Sequence, residues 1–201
     1  MPADRDVGAF DDRAASYEAG WRGRLHRDIV DRVLDIALGL EPSPRHVLDV
    51  GCGTGYLLRA LAPRLAADAT LDGIDPAPRM IGAATAAAAD PRLRFGAGVA
   101  EHLPFPDGAM DLVVATTSFD HWADQGAGLG EVARVLRPGG HLVLADLLSV
   151  WLAPTLAGSR RGRARTVRRT SALLRRSGLR VLDRHPLFVV VQALSARREG
   201  G

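Results

Sequence analysis

The sequence contains no lysine, and all 26 of its basic side chains are arginines. This absence excludes a P-loop, whose pattern requires a lysine directly after its last glycine. The net charge is only +3 although the pI is about 9.9, because arginine holds its proton to very high pH without creating a strong cationic field. The balance disfavours nucleic acid as a partner, for which we would expect a basic face interleaved with aromatic side chains.

Cysteine is almost absent as well, since Cys52 is the only one. An intramolecular disulfide is therefore excluded, and the spacing of Cys52 and the six histidines does not match that of a zinc site. We predict no bound metal.

Long hydrophobic runs are also missing. The first ten residues include Asp4 and Asp6 and lead into no apolar run, so no signal peptide is expected. The longest apolar stretch, 187–196, is too short to cross a bilayer and contains Gln192. The sequence predicts a cytoplasmic protein with no membrane partner.

Short apolar runs alternate with helical stretches, which is typical of an α/β domain. The predicted strands are 46–50, 70–75, 93–98, 110–116, 141–147, 179–187 and 188–194. The predicted helices are 24–39, 54–62, 79–89, 126–137 and 160–177, with turns at 41–44 and at Arg137-Pro138-Gly139-Gly140. Residues 1–9 and 196–201 are predicted to be loose ends.

These elements predict a doubly wound, Rossmann-like sheet of seven mostly parallel strands with an antiparallel last strand. Residues 1–40 form a helical N-terminal arm that covers the site, and residues 41–201 form one globular domain. In such a sheet, ligands bind beyond the carboxyl ends of the strands.

The first strand leads into a turn that reads Asp49-Val50-Gly51-Cys52-Gly53-Thr54-Gly55. Three glycines at alternate positions allow positive φ angles and a close approach of a ligand to the backbone. The dinucleotide fingerprint would require a further glycine at position 56, which is Tyr56, so a nicotinamide or flavin site is disfavoured. Taken alone, the turn is equally compatible with a structural role.

A second feature supports a ligand site. Asp75 ends the second predicted strand, 20 residues after Gly55. Its carboxylate can accept both hydroxyls of a ribose above the glycine turn. The alternative is a helix N-cap before Pro76 and Pro78, and the two roles are compatible.

Four ordered segments, 46–55, 73–81, 98–122 and 131–147, resemble the class I S-adenosylmethionine-dependent methyltransferases. The resemblance is closest to the small-molecule group that includes the ubiquinone and menaquinone biosynthesis enzymes. It implies S-adenosyl-L-methionine as cofactor, S-adenosyl-L-homocysteine as product and a small-molecule acceptor.

The resemblance also implies individual roles. The methionine part of the cofactor would lie above Gly51, Cys52, Gly53 and Gly55, with its amino group near Asp49 and its carbonyl side near Thr116. Asp75 would hold the ribose, while Pro76, Met80, Val99, Ala100 and Glu101 would border the adenine. Phe10, Asp11, Ala14 and Tyr17 resemble an arm that closes over the cofactor, so Tyr17 is expected to touch it.

One position departs from the family pattern. An acidic residue that bonds the adenine amine often precedes Ala100, whereas this chain has Val99. Either Glu101 or a backbone carbonyl replaces it, or the affinity for the cofactor is lower.

His121, just after the fourth strand, is the candidate general base, and His26 is a weaker one. The alternatives for His121 are a packing role or the donation of a hydrogen bond to the substrate. Trp21, Trp122 and Trp151 are candidates for an acceptor pocket or for packing. The eight arginines of 160–177 predict a solvated helix face or, alternatively, a contact with an acidic substrate or partner.

The sequence predicts a methyltransferase that acts on O, N or C of a small organic acceptor. A bacterial origin is expected, and a homodimer is compatible with the sequence. The alternative is a cofactor-binding protein of the same fold that does not methylate. A nucleic-acid or protein methyltransferase is disfavoured, since residues 117–120 lack the [DN]-P-P-[FYW] element of many amino-methylating nucleic-acid enzymes.

Overall fold

A computed structural model describes Gly8 and residues 20–148 and 166–200. The helices are α1 (Gly20–Leu40), α2 (Tyr56–Leu61), α3 (Pro78–Ala86), α4 (Gln125–Val135) and α5 (Val167–Arg176). The strands are β1 (His46–Val50), β2 (Thr70–Asp75), β3 (Leu93–Ala97), β4 (Met110–Thr116), β5 (Leu136–Leu147), β6 (Leu179–Pro186) and β7 (Val191–Arg198).

The seven strands form one sheet in the order β3-β2-β1-β4-β5-β7-β6. Strands β1 to β5 run parallel, and β7 lies antiparallel between β5 and β6. The order reverses beside β1, so the loops after β1 and β4 meet at one edge of the sheet, as expected for a doubly wound fold. The predicted fold class is confirmed.

Each face of the sheet carries its own core. On one face, α1 packs Val30, Val33 and Leu34 against the apolar side chains of β1, β4 and β5. On the other face, α4 and α5 cover the sheet through side chains that include Leu129 and Leu174. Strands β1 and β4 are therefore buried on both faces, which explains their nearly continuous apolar sequence.

Several predicted boundaries are wrong. Helix α2 begins at Tyr56 rather than 54, and Pro63 lies inside a short 3-10 turn, Ala62–Arg64, instead of following the helix. Helix α3 ends at Ala86 instead of 89. Helix α4 ends at Val135 rather than 137, and β5 begins at Leu136, which pairs with Met110 of β4.

The last strand is also displaced from its predicted position. The chain turns at Leu187–Val190, where the amides of Leu187 and Phe188 both donate to Val191 O, and β7 then continues to Arg198. Residues 196–198 are therefore strand and not a loose end. Residues 1–7 and 9–19 and Trp151 lie outside the described residues, so the arm that covers the site remains a prediction.

Among the described residues, no helix has both the length and the apolar character needed to cross a membrane. The same residues contain no group of three or more potential metal-ligating side chains.

Candidate cofactor site

The glycine turn after β1 is fixed from two sides. The amides of Gly51 and Cys52 both donate to Ile74 O, over 2.8 and 3.0 Å, so the turn is attached to the end of β2. Gly51, Gly53 and Gly55 have φ angles of 79°, 53° and 74°. All three lie in the left-handed region, which a residue with a Cβ enters only at a cost of about 1–2 kcal/mol.

The three glycines differ in what surrounds them. A Cβ on Gly51 would lie 2.7 Å from Ser118 Oγ, and one on Gly55 would lie 2.5 Å from Phe95 Cζ. A Cβ on Gly53 would meet nothing within 4 Å. The outer two glycines are therefore required by packing, whereas the middle one leaves its backbone accessible to a ligand.

Asp75 joins the ends of β1 and β2. Its Oδ2 accepts from the Gly53 amide and its Oδ1 from the Ala77 amide, both over 2.9 Å. The alternative role as a helix N-cap is wrong, because α3 is preceded by Ala77 as its N-cap residue. Asp75 therefore ties the glycine turn after β1 to the residue that precedes α3.

Asp49 lies under the turn, on β1 between Gly73 of β2 and Val114 of β4, and is only 3% exposed. Burial, followed by the nearby Asp75 charge, raises its pKa from 3.8 to about 8. A neutral buried carboxyl of this kind becomes a strong acceptor when a cationic group approaches, because the two charges then stabilise each other.

Cys52 is a packing residue. Its side chain is 8% exposed, and its Sγ lies 2.9 Å from the point where a Cβ on Gly73 would stand. Burial, together with Asp49 and Asp75, raises the pKa of the thiol far above its usual range. The thiol therefore stays protonated and is a poor nucleophile.

The predicted adenine-side residues have unequal surroundings. Val99 is 45% exposed, whereas Met80 and Ala100 are buried and Pro76 is exposed. The Glu101 carboxylate accepts from the Asp124 amide over 2.8 Å, so it fixes the start of α4. This contact weakens the idea that Glu101 replaces the acidic residue that Val99 lacks.

The loop after β4 is held at four points that the sequence did not reveal. Thr117, with a φ of 54°, donates its amide to Ala145 O over 2.7 Å. Ser118 Oγ donates to Val50 O over 2.7 Å. The Asp120 amide donates to Asp146 Oδ2, and Gln125 Nε2 donates to Phe119 O, both over 3.0 Å.

This loop carries His121, which ends a 3-10 turn over Phe119–His121 and is half-buried. Asp146 of β5 is buried, and burial is the main cause that raises its pKa to about 6, while His121 lowers it. A histidine and a buried carboxylate therefore lie close together beside the glycine turn. The only sequence sign of Asp146 was a single acidic residue inside an apolar strand.

The remaining candidates are less informative. Trp122 is 6% exposed and packs edge-on against Phe119, with ring centroids 5.1 Å apart, so it is a core residue. Thr116 Oγ1 is buried and finds no hydrogen-bond partner among the described residues. His26 is half-buried on α1. Tyr17 and the side chain of Trp21 lie outside the described part.

Ser118 provides a test of this loop. Changing Ser118 to alanine is expected to lower the free energy of unfolding by about 1 kcal/mol, because Val50 O loses a buried donor. Urea unfolding measures the change. Ser171→Ala on α5 is the matched control and should not destabilise, since alanine favours helix and no hydrogen bond of Ser171 is found within the described chain. Equal stability of the two variants would contradict the assigned contact.

The family described as "Methyltransferase domain" matches residues 48–144. A demethylmenaquinone methyltransferase of Thermus thermophilus is 43% identical over 117 residues, covering 57% of this chain and 52% of its own length. An uncharacterized methyltransferase of Mycobacterium tuberculosis is 34% identical over 187 residues, covering 92% of this chain and 67% of its own. The chain thus spans about half the length of the menaquinone relative.

The fold is shared with solved structures. A chain from the complex between the Haloferax volcanii Trm112 methyltransferase activator and a methyltransferase superposes with a TM-score of 0.78, at 22% identity. The match covers 95% of this chain and 98% of that chain.

Proposed function

Because this chain belongs to the methyltransferase domain family, we propose that it binds S-adenosylmethionine and transfers its methyl group to a small organic acceptor. The observation that carries this proposal is the arrangement of Asp75, Gly53 and Asp49. The accessible backbone of Gly53 lies beside the Asp75 carboxylate, and Asp49 is a buried carboxyl group with a raised pKa.

This donor and acceptor set fits the proposed cofactor. Asp75 would hold the ribose hydroxyls, and Asp49 would accept the ammonium group of the methionine part. When bound, the cofactor supplies a methyl group on a positively charged sulfur.

The residues of the chain would position the acceptor and the cofactor relative to each other. Direct displacement needs the acceptor atom, the methyl carbon and the sulfur in line, so a rigid site supplies much of the acceleration. The contacts of Ser118 and Asp120 fix the loop after β4 on the glycine turn and on β5. For an oxygen or nitrogen acceptor, His121 would remove the proton.

The finer assignments are also proposals. The menaquinone relative supports a small-molecule acceptor, which could be methylated on O, N or C. A cytoplasmic location, a bacterial host, a homodimer and the lid formed by residues 1–40 follow from the sequence patterns alone.

The test is calorimetric titration with S-adenosylmethionine and S-adenosylhomocysteine, followed by detection of S-adenosylhomocysteine formed with a panel of acceptors. We expect micromolar binding, weakened about tenfold by Asp75→Asn through the loss of one charged acceptor. Asp68→Asn is the control, because Asp68 is an exposed carboxylate paired with Arg45.

The outcomes separate the candidates. Binding with turnover supports the proposal. Binding of both ligands without turnover on any acceptor would favour the non-methylating alternative. Failure of both ligands to bind a folded protein would overturn the cofactor assignment itself.

A further inference from the structure

A groove lies at the opposite end of the sheet from the glycine turn. It has a volume of about 520 Å³ and is lined mainly by Pro138, Gly139, Arg180, Arg197, Arg198 and Glu199. We name it the distal arginine groove. Its volume falls within the range typical of small-molecule sites, about 300–1,000 Å³.

The strand register places two like charges together in this groove. Arg180 of β6 is directly opposite Arg197 of β7. Like charges at directly opposed positions destabilise a sheet. The nearest carboxylate is Glu199, whose Oε1 lies 4.0 Å from Arg180 Nε, and both side chains are more than half exposed. Such an exposed pair contributes little neutralisation.

Backbone carbonyls, rather than carboxylates, hold the other two guanidinium groups. Arg197 Nε donates to Gly139 O over 3.1 Å. Arg198 Nη1 donates to Arg134 O over 3.0 Å and also to Leu136 O. Carbonyl acceptors orient a guanidinium group without cancelling its charge, so these side chains are held in place while they remain fully cationic.

Several arginines elsewhere in the described chain are neutralised by carboxylates, although Arg32 and Arg59 also donate to backbone carbonyls. Arg94, Arg134 and Arg137 each pair with a carboxylate within 2.6–2.8 Å. The charge is correspondingly uneven. Residues 166–200 contain eight arginines and two acidic residues, hence +6, whereas residues 20–148 contain 12 arginines and 16 acidic residues, hence −4.

Gly139 is required for this geometry. Its φ is +78°, and a Cβ there would lie 2.9 Å from Arg197 Nη2. The φ angle favours glycine, and an added Cβ would displace the end of the Arg197 side chain.

We propose that the distal arginine groove binds a small ligand through a phosphate group. Forked guanidinium donors match the oxygens of a phosphate, and the opposed Arg180 and Arg197 present two of them on one face of the sheet. The volume exceeds that of one ion, so the phosphate is carried on a small organic body. This site is separate from the cofactor site, because the five residue steps from His141 to Asp146 alone span roughly 17 Å of extended strand.

Thermal unfolding of the full chain tests the proposal, with inorganic phosphate as the probe and sodium chloride at equal ionic strength as the reference. We expect a saturable rise in Tm with half-saturation on the order of 1 mM. Arg180→Gln and Arg197→Gln should each weaken the effect about tenfold. Arg168→Gln is the control, because Arg168 is exposed on α5 and takes no part in the groove.

Two further arms identify the ligand and the site. The phosphate shift should add to the shift produced by S-adenosylhomocysteine, because the two sites are far apart. Gly139→Ala should weaken phosphate binding while leaving S-adenosylhomocysteine binding unchanged.

Several outcomes would overturn the proposal. A shift that chloride reproduces, that never saturates or that survives both arginine variants would indicate an adventitious ion only. Tight binding of a polynucleotide that phosphate does not displace would assign the groove to nucleic acid instead. Competition between phosphate and S-adenosylhomocysteine would place the anion at the cofactor site.

Discussion

Replacing Gly51 by alanine is expected to lower the free energy of unfolding by about 3 kcal/mol and to abolish S-adenosylhomocysteine binding. Left-handed backbone at φ 79° costs an alanine about 1–2 kcal/mol. The added Cβ also collides with the Ser118 side chain, and overpacking of this kind costs about 1–3 kcal/mol. Urea unfolding and calorimetric titration measure the two effects.

Gly53→Ala is the matched control. Its φ of 53° imposes the same type of strain, but the new Cβ meets no atom within 4 Å, so only about 1–2 kcal/mol of stability is lost. Binding should nevertheless weaken at least tenfold, because the methyl group projects toward the space proposed for the ligand. The two variants therefore separate a packing requirement from a ligand requirement.

A second-site change completes this experiment. Ser118→Gly in the Gly51→Ala background removes the colliding side chain and should restore part of the lost stability, with the φ strain remaining. If Gly51→Ala and Gly53→Ala were equally stable, or if Ser118→Gly gave no recovery, the contact between the two loops would be refuted.

The sequence predicted the central part of the fold well, because its signals there are local. β1, β2 and β4 are short apolar runs bounded by turn residues, and their observed limits agree with the predicted ones. The glycine turn and Asp75 were equally visible, since both follow directly from strand ends.

Tertiary pairing determines the parts that were mispredicted. Arg137-Pro138-Gly139-Gly140 has the composition of a turn, yet it forms the irregular start of β5, because Leu136 pairs with Met110 across a bulge. The turn at Leu187–Val190 contains no glycine or proline. It forms where Phe188 packs beneath the Arg32 guanidinium group, 4.7 Å from the ring centroid.

The same reasoning explains the site residues that were missed. Ser118 contacts Val50 from 68 positions away, and Asp146 contacts Asp120 from 26 positions away. Both residues lie in segments that resemble the family, but their contacts depend on the sheet order that brings the loops after β1, β4 and β5 together. The site is therefore divided into a motif that the sequence shows and a supporting loop that only the fold assembles.

The affinity for S-adenosylhomocysteine should rise with pH up to about 8 because of Asp49. The pKa of Asp49 in the free protein is about 8, so below that pH the carboxyl is mostly protonated. A ligand ammonium group favours the ionised form, and binding must then release a proton. The affinity is expected to increase by up to about tenfold per pH unit between pH 6 and 8.

Above pH 8 this dependence should level off, because Asp49 is then already ionised before the ligand binds. Titration calorimetry at pH 6.5 in buffers of different ionisation enthalpy should show release of nearly one proton per ligand bound. Uptake of a proton, or none exchanged, would contradict the assigned role of Asp49.

Asp49→Asn separates this role from a general loss of structure. A folded-state pKa raised above its unfolded value means that ionised Asp49 destabilises the fold progressively as pH rises from about 4 to 8. The asparagine variant should therefore be more stable than the parent at pH 8, by about 1 kcal/mol or more. Its ligand affinity should be lower and should no longer rise between pH 6 and 8. Ligand binding should release no proton from position 49. A variant that bound weakly because it was misfolded would instead lose stability. A gain in stability together with a loss of ligand affinity would show that the Asp49 carboxylate serves ligand binding.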